Sequence, residues 1–347
     1  MKYTILIVGN FLSSSGRSRG VCEDLADYLS EDGWSVIRTS FYTGRMRRMI
    51  DIIGTIWKSR NCFTMAQIDV FSGLAFIWAE ATCWLLKILQ KPYILTLHGG
   101  NLPQFARRWP GRVKKLLNSA AGVTVPSRYL LEAMHSYRSD LRLIPNSIDL
   151  RRYSFRRRTA FHPQIVWLRA FHSIYNPILA PKVIARLVEE LPDIYLTMIG
   201  SDKGDGSFQS VQDWSRQSDV LGYISWPGAV PKADVPNWLS KADIFMNTSN
   251  VDNTPVSILE AMACGLCIVS TNVGGIPYLL EHERDALLVP PDDFEAMASA
   301  IRRVITEPNL ANRLSQNARL KVERLDWSII LGQWKSLLVS VANTNRT

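Results

Sequence analysis

The sequence predicts two α/β domains, each built on a parallel sheet. Short, wholly apolar strand-like runs alternate with helical stretches in both halves of the chain. The alternation breaks once, at the turn-forming Pro145-Asn146-Ser147-Ile148-Asp149 and the basic stretch from Arg151 to Arg158. A chain of 347 residues is also about two domains long.

In order, Thr4-Ile-Leu-Ile-Val8 is apolar throughout, as a buried parallel strand must be. A Ser/Gly-rich turn from Ser13 to Gly20 leads into a helix through Leu25 and Leu29, which Gly33 closes before Trp34-Ser-Val-Ile37 resumes as strand. A helix around Phe76 to Leu89 feeds the strand Tyr93-Ile-Leu-Thr-Leu97, which stops at His98-Gly99-Gly100. Gly122-Val-Thr-Val-Pro126 and Leu141-Arg-Leu-Ile144 read as two short strands. Past the junction, Ile165-Val-Trp-Leu168 is a strand and Ala180 to Leu191 a helix with periodic Val183, Ile184, Leu187 and Val188. Ile194 to Ile199 is a strand ending at Gly200, and Ala242 to Met246 and Cys267 to Ser270 flank the helix that carries Glu260. The expected domains are residues 1–150 and 151–327, with a terminal helix over 328–347. Parallel sheets gather ligands beyond their strand carboxyl ends, which directs attention to Gly16, His98, Gly200 and the loop of the 250s.

Composition narrows the class. Hydrophobic residues make up 47% and charged residues 20%, which excludes a disordered or fibrous chain. Net charge is unevenly placed: residues 1–158 sum to +13 and residues 159–347 to −4, so one lobe is suited to an anionic partner. The five cysteines are scattered in apolar settings, which suits a reducing cytoplasm. Cys264-Gly-Leu-Cys267 has CxxC spacing but no second Cys/His pair, and reads as two buried small hydrophobes ahead of redox or zinc chemistry. No cleavage site follows the first apolar run, so a strand rather than a secretory signal is expected there. Val70 to Leu89 is the one candidate membrane span; Glu80, Thr82 and Lys87 within it favour a buried helix. Between Arg45 and Arg60, apolar residues 46, 49, 50, 53, 56 and 57 share a helical stripe flanked by arginines and lysines. A core-facing helix with a basic solvated face is the preferred reading, and a helix lying on anionic lipid the other. Arg107, Arg108, Arg112, Lys114 and Lys115 add a second basic cluster, without any nucleic-acid-binding module.

The densest chemistry lies in Asn250-Val-Asp252-Asn253-Thr254-Pro255-Val256-Ser-Ile-Leu-Glu260-Ala-Met-Ala-Cys-Gly265. Pro255 suits the first turn of a helix, whose amides and dipole would favour a diphosphate. Glu260 lies among apolar neighbours, where a carboxylate needs a partner; a ribose diol is one and a salt bridge another. Arg169 ends a strand, and its fork suits a phosphate. His98 ends a buried strand before two glycines that let a ligand approach, although a lone His is more often structural. Trp226-Pro-Gly-Ala-Val230-Pro231 is, by pattern, a turn.

An acid, seven residues, then Glu with Ala-Met-Ala-Cys-Gly resembles the signature of the fourth family of retaining glycosyltransferases, whose fold is GT-B. The match continues through Val269, Thr271, Gly274-Gly275-Ile-Pro277 and Leu287 to Asp292, and extends to Pro145-Asn-Ser-Ile-Asp149. The resemblance implies two Rossmann-like domains with parallel sheets facing across a cleft, and a terminal helix packing back on the first. It implies that Glu260 binds the nucleotide ribose, that Asp252 contacts the donor sugar, and that amides near Asn253 to Val256, the stretch that includes Thr254 and Pro255, meet the diphosphate or sugar. Arg169 resembles the diphosphate clamp, Gly16 belongs to a glycine loop beside the phosphates, and Val230 sits in the segment that meets the nucleobase; Gly200, at its strand end, is a donor-binding candidate by position alone. His98 is then a sugar contact, not a general base. Two departures stand out. Asp252 occurs where Glu is commoner, and the Lys expected shortly after Arg169 is missing, which leaves Asn176 or Lys182 to replace it.

The expected function is retaining transfer of a hexose-type residue from a nucleoside diphosphate sugar to a saccharide or lipid-linked acceptor, in envelope or surface-polysaccharide assembly. No cofactor or metal is expected. The location would be cytoplasmic, including the inner face of the membrane. The rivals are a sugar-nucleotide epimerase of the same fold and a sugar-nucleotide-binding protein without turnover.

Overall fold

Apolar runs with no polar face have to be covered on both sides, and the sheets show how. The computed structural model describes residues 3–13 and 19–344. The chain forms two units, Met1–Asn146 with Trp327–Thr347, and Ser147–Asp326.

In the first unit, β1 (Thr4–Val8), β2 (Ser35–Thr39), β3 (Met65–Val70), β4 (Tyr93–Leu97), β5 (Gly122–Val125) and β6 (Arg142–Leu143) form one sheet in the order β2-β1-β3-β4-β5-β6. All pairs are parallel, with Ile5 level with Val36 on one side and Met65 on the other. Helices α1 (Val21–Glu31), α2 (Arg45–Ser59), α3 (Phe76–Ile88), α4 (Leu102–Arg108), α5 (Pro110–Leu117) and α6 (Arg128–Met134) connect them. Alternate residues of β1 feed different cores. Leu6 and Val8 pack with Ile52, Ile56, Ala79 and Leu86 of α2 and α3. Ile5 and Ile7 pack with Leu25 and Leu29 of α1 and with Trp334, Leu337 and Leu338 of the chain's last helix, Trp327–Thr344. Trp327 stacks on Tyr28 with ring centroids 4.7 Å apart, fixing the start of that last helix.

In the second unit, β7 (Gln164–Leu168), β8 (Tyr195–Ile199), β9 (Ile224–Gly228), β10 (Ile244–Asn247), β11 (Cys267–Thr271) and β12 (Leu287–Val289) form a parallel sheet in the order β12-β11-β10-β7-β8-β9. Around it lie α7 (Leu179–Leu187), α8 (Ser207–Gln217), α9 (Val235–Ser240), α10 (Val256–Ala263), α11 (Ile276–Leu279), α12 (Phe294–Thr306) and α13 (Pro308–Glu323). The central strand runs straight into buried side chains on both faces: Trp167 joins one core and Val166 the other.

Several elements differ from the sequence reading. Strand β3 was not anticipated because Gln67 and Asp69 interrupt its apolar run; Gln67 donates to Thr96 Oγ1 at 2.8 Å and Asp69 Oδ1 at 2.9 Å. Trp226-Pro227-Gly228 belongs to β9 rather than to a turn, and Pro227 is tolerated because β9 is an edge strand. The stripe of α2 is split: Ile56 at its edge is buried together with Ile52, whereas Met46, Ile50 and Trp57 are exposed. The run from Val70 to Leu89 divides into the end of β3, a short turn and α3, and is not simply a buried helix, since Ile77, Trp84 and Ile88 are exposed. Among the described residues, no helix is long and apolar enough to cross a membrane.

The basic stretch after the junction also contains a buried residue. Arg158 donates to Asp243 Oδ1 at 2.7 Å and to the carbonyls of Ala242, Cys264 and Gly265 at 2.6, 3.0 and 2.7 Å. Burial pulls its pKa down, and Asp243 opposes that pull. The guanidinium thus satisfies the carbonyls at the end of α10 and fixes the helix that carries Glu260.

All five cysteines are free thiols, and Cys264 and Cys267 are buried. Burial pushes the Cys264 thiol up to about 12, the signature of an inert core thiol.

Candidate functional site

In the second unit the loop from Ser249 to Pro255 is built by its neighbours more than by its own turn residues. Gly275 N–H donates to the Asp252 carbonyl at 3.1 Å, and a Cβ on Gly274 or Gly275 would overlap the carbonyls of Asp252 and Asn253 respectively. The two glycines therefore let the segment before α11 press against the loop. Thr271 donates to the Ser249 carbonyl at 2.6 Å from the end of β11. Pro255, with φ −65°, caps α10, so the amides of Val256 and Ser257 fall in the first turn, where no acceptor lies one turn back. Asn253 and Thr254 are buried beside them.

Asp252 and Arg169 meet directly as an ion pair. Ser249 Oγ also donates to Asp252 Oδ2 at 3.1 Å, and Asn253 N–H to Oδ1 at 2.9 Å. The Arg169 guanidinium lies 4.8 Å from the Tyr175 ring centroid, a cation–π contact that holds the fork flat. Its Nε is buried and unpartnered, as is Ser257 Oγ in the first turn of α10. Buried donors and acceptors are normally satisfied, so two orphans beside a helix start are informative.

Glu260 is 2% exposed, one and a half turns into α10. Its Oε1 accepts from Tyr153 Oη at 2.5 Å and pairs with Lys232. Sequence reasoning missed both partners. Lys232 directly follows Pro231 in the loop after β9, where a cation was visible but unassigned; Tyr153 sits in the arginine stretch after the junction, where nothing local marked it. Val230 is part-buried against the core that α10 shares.

Other expected residues fall in distinct settings. A Cβ on Gly200 would overlap the Arg169 carbonyl, so glycine is required there by the close approach of the ends of β7 and β8. Asn176 is in the left-handed region, φ 46°, and its carboxamide donates to Asp292 Oδ1 at 3.1 Å, with Asn250 Oδ1 at 3.5 Å. It therefore braces the 250s loop against residue 292. Lys182 lies on α7. Gly16 lies outside the described residues.

In the first unit, His98 follows β4 and is 8% exposed. Its Nε2 lies 3.0 Å from Asp69 Oδ1, and its ring stacks on Phe71 with centroids 5.1 Å apart. A carboxylate oxygen accepts, so the Nε2–H of His98 donates to Asp69. Asp69 is a third residue the sequence reading missed, although a carboxylate inside an apolar strand was a usable signal. Among the described residues, no cluster of three His, Cys, Asp or Glu side chains is placed to share a metal ion.

Two family models match the chain: "Glycosyl transferases group 1" over residues 162–321 and "Glycosyltransferase Family 4" over residues 18–152. The chain is 29% identical over 205 residues to a D-inositol 3-phosphate glycosyltransferase of Saccharomonospora viridis, covering 54% of this chain and 47% of that one. It is 25% identical over 198 residues to the Escherichia coli UDP-Gal:alpha-D-GlcNAc-diphosphoundecaprenol alpha-1,3-galactosyltransferase, covering 52% and 49%. The matches thus span about half the length of these curated relatives. In fold, the chain is similar to Anabaena HepE in complex with UDP-glucose, with TM-score 0.78, 17% identity, and coverage of 97% and 99%.

Proposed function

We infer, from a chain that belongs to the group 1 and family 4 glycosyltransferases and has their GT-B fold, that this protein moves a hexose-type residue from a nucleoside diphosphate sugar to an acceptor hydroxyl with retained anomeric configuration. The observation that carries the reading is the loop and helix from Asp252 to Glu260, with Arg169 beside it. Glu260 offers one oxygen to Lys232 and Tyr153 and keeps acceptor capacity for a ribose diol. The first-turn amides of α10 and the Arg169 fork supply the positive field a diphosphate requires, without calling on a divalent ion. The orphaned Arg169 Nε and Ser257 Oγ both find partners once phosphate oxygens arrive.

Arg169 has two roles in this reading. Without donor it neutralises Asp252; with donor it turns to the diphosphate and leaves Asp252 available to the sugar hydroxyls. In the transfer, the bond from the anomeric carbon to the diphosphate breaks and the bond to the acceptor oxygen forms. The acceptor's proton leaves with the diphosphate, whose developing charge Arg169 and α10 stabilise. His98, its ring fixed by Asp69 and Phe71, contacts the sugar and is not the general base. The reading is also supported by the activity of the Escherichia coli relative on a sugar carried by diphosphoundecaprenol. The acceptor is accordingly a saccharide or lipid-linked saccharide used in envelope assembly, engaged by the basic first unit at the inner face of the cytoplasmic membrane.

A panel of nucleoside diphosphate sugars screened by thermal unfolding tests the reading. Selective stabilisation by one base and sugar is expected. Uniform indifference to the whole panel contradicts it.

A further inference from the structure

Helices α2 and α3 cover the same face of the first sheet, with Ile52, Ile56, Ala79, Cys83 and Leu86 turned into one core. Six large apolar side chains turn the other way: Met46 (75% exposed), Ile50 (68%), Trp57 (52%), Ile77 (46%), Trp84 (65%) and Ile88 (55%). Steps of four and eleven residues on α2, and of seven and eleven on α3, put each trio on a single stripe. The helices are neighbours, since the Arg48 guanidinium of α2 lies 4.9 Å from the Trp78 ring centroid of α3. Both stripes thus turn outward from adjacent helices of the same unit. Among the described residues, ten of the sixteen exposed large apolar side chains fall between Phe41 and Trp109, a concentration that scattered surface hydrophobes do not produce.

The surroundings of that surface are basic. Residues 41–117 hold twelve Lys and Arg against three acids. Glu80 is paired with Arg112, whereas Asp69, bound to His98 and Gln67, and Asp51, bound to Thr39, keep their charges, so the basic excess of the rim is reduced but not removed. Arg45, Arg47 and Lys58 on α2 are exposed, as are Lys114 and Lys115 on α5, which the Arg112–Glu80 bond ties to α3.

We propose that this face docks on an anionic lipid bilayer, with the six apolar side chains at the acyl boundary and the basic rim against lipid phosphates. Tryptophans near the carboxyl ends of both helices suit that boundary, having an apolar body and a polar N–H. Charge decides between a bilayer and a second copy of the chain. A two-fold contact would press each basic rim against its like, whereas an anionic surface neutralises it. The proposal deepens the reading of a lipid-linked acceptor by naming the surface that reaches the membrane.

The test measures vesicle binding by the full chain without donor or acceptor, so its failure is separate from any failure of sugar transfer. The expected result is flotation with phosphatidylcholine vesicles containing phosphatidylglycerol, a blue-shifted tryptophan emission, and little binding to phosphatidylcholine alone. The double variant Ile50→Glu with Trp84→Glu, at positions exposed enough to leave the fold intact by circular dichroism, should lose binding at least about ten-fold. Arg45→Ala with Arg47→Ala should lose roughly ten-fold through charge alone. Equal binding to neutral and anionic vesicles, or none to either, overturns the proposal. A wild-type dimer that Ile50→Glu dissociates while vesicle binding is unchanged overturns it too, and assigns the face to a second copy.

Discussion

Replacing Glu260 by Gln keeps the shape of the side chain and removes its charge, which separates a structural carboxylate from one that binds a ligand. Structurally the loss is small: Lys232, its partner, has a side chain 30% exposed and can solvate, and Tyr153 can still donate to the amide oxygen. A cost of about 1 kcal/mol of stability is expected, not the roughly 3–5 kcal/mol of stranding a fully buried charge. For the donor, charge-assisted hydrogen bonds from the ribose diol become neutral ones, a loss of about 2 kcal/mol or roughly 30-fold in affinity. Donor at about 100 times its wild-type Kd stabilises the wild type by roughly 2.7 kcal/mol, and the variant by only about 0.9 kcal/mol. At roughly 2–4 °C per kcal/mol, that is a ligand-induced rise of about 5–10 °C against one of about 2–3 °C. Thermal unfolding with and without the selected nucleoside diphosphate sugar reads the difference. A variant that unfolds like the wild type and keeps the full ligand-induced rise would refute the ribose role.

Gly275→Ala should push the Asn253 carbonyl aside and cost donor binding at least about ten-fold, whereas Gly222→Ala, which meets nothing within 4 Å, should not; calorimetric titration of both variants checks this. Arg158→Ala leaves Asp243, 2% exposed, with Arg156 as its remaining guanidinium partner and strips the Ala242 carbonyl of its donor, while the Cys264 and Gly265 carbonyls keep Arg156 N–H and Ser315 Oγ. A loss of about 3–5 kcal/mol in denaturant unfolding is expected, and a loss under about 1 kcal/mol would show that the pair is dispensable.

The fold was legible because its strands are apolar runs with no rival reading, and because Pro145 to Asp149 marks the junction. Strand β3 was hidden by Gln67 and Asp69, whose side chains are satisfied only by tertiary partners that no local window contains. The same reason hid Tyr153 and Lys232: they meet Glu260 from positions 107 and 28 residues away. Asp252, Glu260 and Arg169 were readable as candidates, but their pairing was not. Nothing in the sequence shows that Arg169 and Asp252 neutralise each other when no ligand is present. For α2, periodicity identified a helix but not its orientation. Residues 46, 50, 56 and 57 share one broad stripe with Ile52 just beyond its edge, and only the packing of Ile52 and Ile56 against Leu6 and Val8 decides which edge is inside.

Product stereochemistry is the sharpest test of transfer with retention on the loop from Asp252 to Glu260. With an α-linked nucleoside diphosphate sugar, an acceptor and a chelator present, the expected product is α-linked by its anomeric NMR coupling, with nucleoside diphosphate released in equal amount. A β-linked product would contradict retention. An isomerised nucleotide sugar formed from donor alone, with no new glycosidic bond, would contradict transfer itself.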